Sequence, residues 1–401
     1  MRILIISQYF WPENFRINDL TLELKNRGHI VTVLTGKPNY PKGIFFDGYS
    51  FYNKSVEFWE GIQVYRAKIL PRRNGNGINL FINYLSFSFF SCLKIFSIKG
   101  NFDKIIVYQL SPGTIGFTGL LAKYIFKAPL YFYIQDIWPE SISDAGGIKS
   151  NFILKLVNSM MNYFYNKSNL ILVQSNGFID FLVSKGVERN KIKYLPNTVE
   201  SFYKPVEVLD IYKSQFPNGF NILFAGNIGF AQDFETILNA AYILNEKEID
   251  VNWVILGDGR AKEDLIKKII SLKLKDNFYF LGTRPSIDMP YYFTCADLLL
   301  VSLKKSTIFS LTIPSKVQSY MACRKPILGN IEGVAAKTII DAGAGLCSPS
   351  GYSNLLAENI ESFIKKPNIE KDKFSENSYN YFLQNFERKV VYDKLEQYLN
   401  L

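Results

Sequence analysis

The chain opens on a continuous apolar run, Ile3-Leu4-Ile5-Ile6 between Arg2 and Ser7, and loses that character in the loop from Gln8 to Asn14. Apolar positions then recur in a helix-like pattern at Ile17, Leu20, Leu22 and Leu24, ending at Arg27-Gly28-His29, where the glycine marks a helix C-terminus. Ile30–Leu34 follows at once as a second strand, so the opening predicts a βαβ unit. Further short apolar runs lie at Lys104–Tyr108, Leu130–Ile134 and Leu170–Val173, separated by helical patterns. Strands apolar on both faces that alternate with helices predict a parallel sheet covered on both sides.

The rhythm restarts after Pro196-Asn197-Thr198 and an irregular stretch through Pro205. Asn221–Gly226, Val251–Gly257, Phe278–Gly282 and Leu298–Val301 read as strands, with a helix beginning near Phe234. A chain of 401 residues also exceeds the roughly 250–300 at which one core usually splits. The expectation is two doubly wound α/β domains of Rossmann-like parallel-sheet type, an N-terminal one over 1–199 and a C-terminal one over 200–378. A last helix within 379–401 is expected to pack back on the first. In such folds ligands sit beyond the carboxyl ends of strands, so the two sets of loops are expected to face a cleft.

Charge changes the picture in the first half. Residues 1–195 hold 23 Lys/Arg against 12 Asp/Glu, and the remainder hold 23 against 24. One-sided basicity implies a polyanionic neighbour. Lys68, Arg72, Arg73, Lys94 and Lys99 bracket an aromatic-rich segment, 78–98, with Phe81, Tyr84, Phe87, Phe89, Phe90 and Phe96. Cations flanking apolar rings favour an anionic membrane surface over nucleic acid, with the segment lying in the interface. The alternative is a core helix with solvated ends. The segment is long enough to span a bilayer, but Asn79, Asn83 and Lys94 weigh against spanning. The four cysteines lie far apart with no C-x-x-C pair, which suits a reducing compartment. The initial apolar run is too short for a secretory leader. A cytoplasmic protein peripherally associated with the inner membrane is the resulting expectation.

Five segments carry a family resemblance: Pro38-Asn39-Tyr40-Pro41, Asp136-Ile137-Trp138-Pro139-Glu140-Ser141, Ala225-Gly226-Asn227-Ile228-Gly229, Gly257-Asp258-Gly259 and Ile313-Pro314-Ser315-Lys316. In this order the set resembles retaining glycosyltransferase family 4, of the GT-B fold, in the surface-polysaccharide branch that includes WbuB-type L-fucosamine transferases. The resemblance implies transfer of a sugar from a nucleotide donor with retention of configuration.

Residues 310–316 lead into a helical pattern with Pro314 in its first turn. Unpaired N–H groups at such a start, with Lys316, suit a diphosphate. An ordinary helix of the second domain is the plainer reading. The family carries two glutamates here, eight residues apart, which contact donor sugar and ribose; this chain has Leu311 and Ser319 instead. An apolar Leu311 suits a less polar donor such as a 6-deoxy sugar, and Ser319 retains a hydroxyl for a ribose. Relatives often place Arg and Lys at Asn227 and Gln232, so phosphate neutralisation falls to Lys316, Arg284 or Arg16. The donor set is therefore Gly226, Asn227, Gln232, Arg284, Ser310, Leu311, Thr312, Lys316 and Ser319.

Asp136 and Glu140 follow a strand directly, and the single histidine, His29, lies in a turn before another strand. Asp136 is the first candidate for stabilising positive charge at the anomeric carbon or orienting the acceptor, with Glu140 second; helix capping is the alternative for Asp136. Glu13 and Arg16 are candidates for the acceptor or for the donor phosphate. No Asp-x-Asp occurs, so no metal or other cofactor is expected. The partners expected are a UDP-sugar, such as UDP-L-FucNAc or another N-acetylated 6-deoxyhexose donor, and an undecaprenyl-diphosphate-linked acceptor, in O-antigen or capsule assembly. The competing reading is a catalytically inactive nucleotide-sugar-binding scaffold, motivated by the two missing glutamates.

Overall fold

The apolar runs become strands of two parallel sheets. In the computed structural model, which describes residues 1–73, 77–141 and 150–401, the chain divides into two units. Met1–Leu195 with Tyr398–Leu401 form one, and Pro196–Gln397 form the other.

The sheet of the first unit, among the described residues, runs β3-β4-β2-β1-β5-β6-β7-β8. Its strands are β1 (Arg2–Ile6), β2 (Ile30–Thr35), β3 (Val56–Trp59), β4 (Ile62–Arg66), β5 (Lys104–Gln109), β6 (Leu130–Ile134), β7 (Leu170–Val173) and β8 (Ile192–Tyr194). Every pairing is parallel except β3 with β4. That edge hairpin turns through Glu60 (φ 49°) and Gly61 (φ 75°). Two consecutive positive φ values match the twist of a tight hairpin. Its signal, Glu-Gly between alternating strands, was in the sequence and was missed.

One helix of this unit is inside out. Gly77–Ile95 buries Asn83, Ser88 and Ser91 beside Phe87 and Ile95. Its outer face carries Ile78 (73% exposed), Phe81, Ile82, Leu85, Phe89 (62%) and Leu93, and Phe96 just beyond its end is 68% exposed. The polar groups face inward because each has a partner there. Asn83 Oδ1 accepts from Gln8 Nε2 at 2.8 Å, and Asn83 Nδ2 donates to the Leu70 carbonyl at 2.6 Å. Ser88 donates to the Thr114 carbonyl and Ser91 pairs with Thr118. Apolar side chains thus recur at helical spacing on the solvent side, the reverse of a globular surface helix.

The second sheet is wholly parallel, β11-β10-β9-β12-β13-β14. It comprises β9 (Asn221–Ala225), β10 (Asn252–Leu256), β11 (Phe278–Gly282), β12 (Leu298–Ser302), β13 (Ile327–Asn330) and β14 (Gly345–Ser348). The chain builds outward from β9 to β11, then returns to β12 on the other side, so a crevice opens at the carboxyl end of β9. Behind it, Asp233 Oδ2 accepts from Thr236 Oγ1 (2.8 Å), Asn330 Nδ2 (3.0 Å) and the Gly351 backbone (3.2 Å). One carboxylate thereby fixes the start of helix Phe234–Glu246 against the end of β13.

The junction falls after Leu195, four residues before the expected 199, because Val199 already packs in the second core and Asn197 accepts from Gln318 Nε2 at 2.8 Å. The terminal segment differs from expectation more clearly. It comprises two helices, Asn368–Asn385 and Arg388–Leu399, and Phe382 and Phe386 are buried in the second core. Only Tyr398–Leu401 joins the first unit, where the Tyr398 carbonyl accepts from Tyr131 and its hydroxyl donates to the Tyr194 carbonyl.

Trp253 on β10 is 1% exposed and stacks on Phe278 of β11 with centroids 5.8 Å apart. Trp253→Ala should cost about 3–5 kcal/mol, read as a lower urea midpoint for the transition of the second unit.

Candidate functional site

The crevice at β9 contains a cavity of about 440 Å³, within the range of small-ligand sites. Main chain forms one side. Gly226 (φ 145°) follows β9 and Gly257 (φ 139°) follows β10, both in conformations that favour glycine. They pack so closely that a Cβ on Gly257 would stand 1.9 Å from the Gly226 carbonyl oxygen, and a Cβ on Gly226 would stand 2.7 Å from Lys316 Cε. Tyr203, Met289, Phe293 and Tyr320 supply an apolar wall.

Lys316 lies in the first turn of helix Ser315–Ala322, which Pro314 precedes and no side chain caps. Its ammonium sits 3.8 Å from the centroid of Phe224 and donates to Gln232 Oε1 at 3.3 Å. Burial brings that ammonium down to about 7. An aromatic face and a neutral amide hold the side chain with no carboxylate paired to it, so its proton is weakly held until an anion arrives. Arg284, after β11, lines the same cavity and donates from Nε to Tyr292 at 2.9 Å.

Gly226, Asn227, Arg284, Lys316 and Ser319 are thus brought together, and Gln232 joins them through Lys316. Ser310, Leu311 and Thr312 are not among the lining residues. They end the short helix Thr307–Leu311, with the Ser310 and Thr312 hydroxyls turned back to the Thr307 and Ile308 carbonyls. Ser319 also spends its proton within its own helix, on the Ser315 carbonyl at 3.1 Å. Sequence reasoning missed Tyr203, Thr283, Ser286, Phe293 and Tyr320. Thr283 was reachable by its place directly after a parallel strand.

In the first unit, Asp136 follows β6 and its Oδ2 accepts from Ser111 Oγ at 3.1 Å, while Ser111 accepts from Trp138 Nε1 at 3.2 Å. Burial pushes the Asp136 carboxyl up to about 6, partly opposed by these donors. The Tyr84 hydroxyl lies near Ser111 and Tyr9, and burial raises its pKa; Arg72 donates to Tyr9. Glu140 is tied to Lys185 at 2.9 Å.

Glu13 has a different job from the one expected. Its buried carboxylate accepts from the backbone N–H groups of Asn39 and Tyr40, both at 2.8 Å, and of Phe10 at 3.4 Å. Burial raises its pKa while those donors hold it down. It pins the 38–41 loop and leaves little capacity for a ligand. Arg16 opens helix Arg16–Asn26, with its charge near the buried Tyr108 and Tyr133. Among the described residues no cluster of three or more His, Cys, Asp or Glu is disposed to hold a metal.

The raised Asp136 carboxyl has a sign that can be measured. Between its ordinary 3.8 and about 6 the folded protein keeps a proton that the unfolded chain has lost. The resulting stabilisation is complete below the lower value and disappears as pH rises through the upper one. Asp136→Asn should remove this slope from urea midpoints measured between pH 4 and 7.

Residues 211–381 match the family of glycosyl transferases group 1. WbjE of Pseudomonas aeruginosa, named a probable glycosyltransferase, is 25% identical over 269 residues, which is 65% of this chain and 66% of that protein. That match covers just under two thirds of each. WcaI of Escherichia coli, a glycosyl transferase named for colanic acid biosynthesis, is 24% identical over 80% of this chain and 81% of its own. Among solved structures, Anabaena HepE in complex with UDP superposes with a TM-score of 0.71 at 16% identity, covering 100% of both chains. This last likeness concerns the fold, which is the GT-B type with two Rossmann-like α/β domains. Residues 211–381 therefore match the glycosyl transferases group 1 family, and the chain as a whole is similar to proteins named as glycosyltransferases.

Proposed function

We propose that this chain is a glycosyltransferase that moves a sugar from a UDP donor to a lipid-linked saccharide during O-antigen or capsule assembly, with retention of configuration and without a metal. It would work on the cytoplasmic face of a membrane. The observation that carries the reading is the cavity at β9, where Lys316 and Arg284 meet a glycine-lined wall and an uncapped helix start. A departing nucleoside diphosphate needs positive charge, and these groups offer it where relatives use loop residues at 227 and 232. Lys316 reaches the neighbourhood of Gln232 from a different element, which compensates for the neutral side chain there.

HepE, whose fold this chain shares, was solved with UDP. WcaI is named for colanic acid biosynthesis. Both support the donor and the pathway class, and the L-fucosamine branch remains the donor we favour. Asp136 is the carboxylate we assign to the charge developing at the anomeric carbon, with Glu140 second. The inside-out helix Gly77–Ile95, beside Lys68, Arg72, Arg73, Lys94 and Lys99, supports peripheral binding to an anionic membrane. The absence of the two family glutamates at Leu311 and Ser319 favours the second reading, a nucleotide-sugar-binding scaffold without turnover.

Release of UDP from UDP-N-acetylated 6-deoxyhexoses, with a polyprenyl-diphosphate saccharide as acceptor, separates the two readings. UDP binding with no turnover for any donor would favour the scaffold.

Lys316→Ala should weaken UDP binding by about 1.5–3 kcal/mol, roughly 10- to 100-fold, as for a charge-assisted hydrogen bond. In the wild type, calorimetric UDP affinity should fall as pH rises above about 7, because the ammonium that meets the phosphate is then lost. Lys316→Met should show no such dependence. Phe81→Asp with Phe89→Asp should abolish sedimentation with vesicles of anionic phospholipid while leaving UDP affinity unchanged. Undiminished vesicle binding would remove this helix from the membrane surface.

A further inference from the structure

Arg72, in the first unit, is a cation that the donor chemistry does not use. Its guanidinium lies against two rings, 5.4 Å from the centroid of Tyr9 and 5.0 Å from that of Tyr40. One terminal nitrogen donates to the Tyr9 hydroxyl. Its Nε is shielded from solvent and has no hydrogen-bond partner among the described residues. Glu13, the carboxylate of the adjoining loop, is already committed to the Asn39 and Tyr40 backbone. A stacked guanidinium with a buried, unused donor is poised for a planar or tetrahedral oxyanion.

Its surroundings say which anion. Arg72 donates to the Tyr9 hydroxyl, Ser111 donates to Asp136, and Tyr84 lies between them, near enough to Arg72, Tyr9, Ser111 and Asp136 to feel each of them electrostatically. On the other side, the Leu70–Arg72 segment is sewn to helix Gly77–Ile95, with Leu70 N donating to Ser86 Oγ at 3.0 Å and the Leu70 carbonyl accepting from Asn83. Arg72 therefore stands between the carboxylate assigned to the reaction and the apolar face assigned to the membrane. An acceptor that carries its saccharide on a lipid diphosphate has charge at that junction.

We propose that Arg72 binds a phosphate of the acceptor's diphosphate, with Tyr9 and Tyr40 holding its guanidinium flat. The inference rests on the reading of the chain as a transferase to a diphosphate-linked acceptor. Arg72 is a binding residue here and takes no part in bond making.

The test compares wild type, Arg72→Gln and Arg72→Lys on one saccharide presented in two forms, linked to a short polyprenyl diphosphate and as a neutral octyl glycoside. The ratio of kcat/KM for the two acceptors should fall roughly tenfold or more in Arg72→Gln, as loss of a charge-assisted contact predicts. The change should lie in KM. Arg72→Lys, which keeps the charge without the fork, should fall between. Equal losses on both acceptors would mean a purely structural role and would overturn the assignment. A reading independent of turnover is inorganic pyrophosphate binding by calorimetry with the donor cavity saturated by UDP, expected in the wild type and lost in Arg72→Gln. Equal pyrophosphate binding by both proteins sinks the inference whatever the activity. A wild type that binds pyrophosphate through Arg72 but transfers to neither acceptor sinks the proposed function instead.

Discussion

The donor-side site depends on how closely backbone approaches backbone at the carboxyl end of β9. Gly226 and Gly257 leave no room for a Cβ between adjoining loops, and the space that a side chain would fill is occupied by the stem of Lys316. With that lysine laid over Phe224, the helix start at Ser315, the strand end at Ala225 and the turn at Gly257 become one surface. Asp233 buttresses it from behind, holding helix Phe234–Glu246 and β13 with a single carboxylate oxygen. A lysine kept by an aromatic face and an amide is desolvated and has no carboxylate beside it, so an arriving anion restores its charge and is held by it.

The first unit solves a different problem with the same economy of parts. Helix Gly77–Ile95 contributes its polar residues to the interior, where Asn83 ties Gln8 to the Leu70 segment. The loops that carry Tyr9, Tyr40 and Arg72 are therefore braced by the helix whose outer face is apolar. A side chain turned inward to complete a hydrogen-bond network cannot also cover the helix from water. The apolar exterior is thus the consequence of how the loops are held, and it leaves surface that a bilayer interface would cover.

The parallel strands were legible because continuous apolar runs between helices have few other solutions. Positions directly after strands, such as Asp136, Gly226 and Gly257, could be singled out because parallel sheets present ligands there. The short strands β8, β13 and β14 were not, since Ile192–Tyr194, Ile327–Asn330 and Gly345–Ser348 break their three or four positions with polar residues or glycine, unlike the wholly apolar Leu170–Val173.

What the sequence determined by itself was the two-sheet architecture, the basic first half and the chemical kind of the candidate residues, all of which follow from local pattern and composition. Only tertiary structure decided which of those residues meet. Ser310, Leu311 and Thr312 adjoin Lys316 in the chain yet lie outside the cavity lining, while Arg284 and Tyr203, distant in sequence, line it. Glu13 looked like a loop charge until its backbone partners at Asn39 and Tyr40 were seen. The physical reason is common to these cases: a side chain's role depends on which donors, rings and carbonyls surround it, and those neighbours are set by packing between segments far apart in the chain.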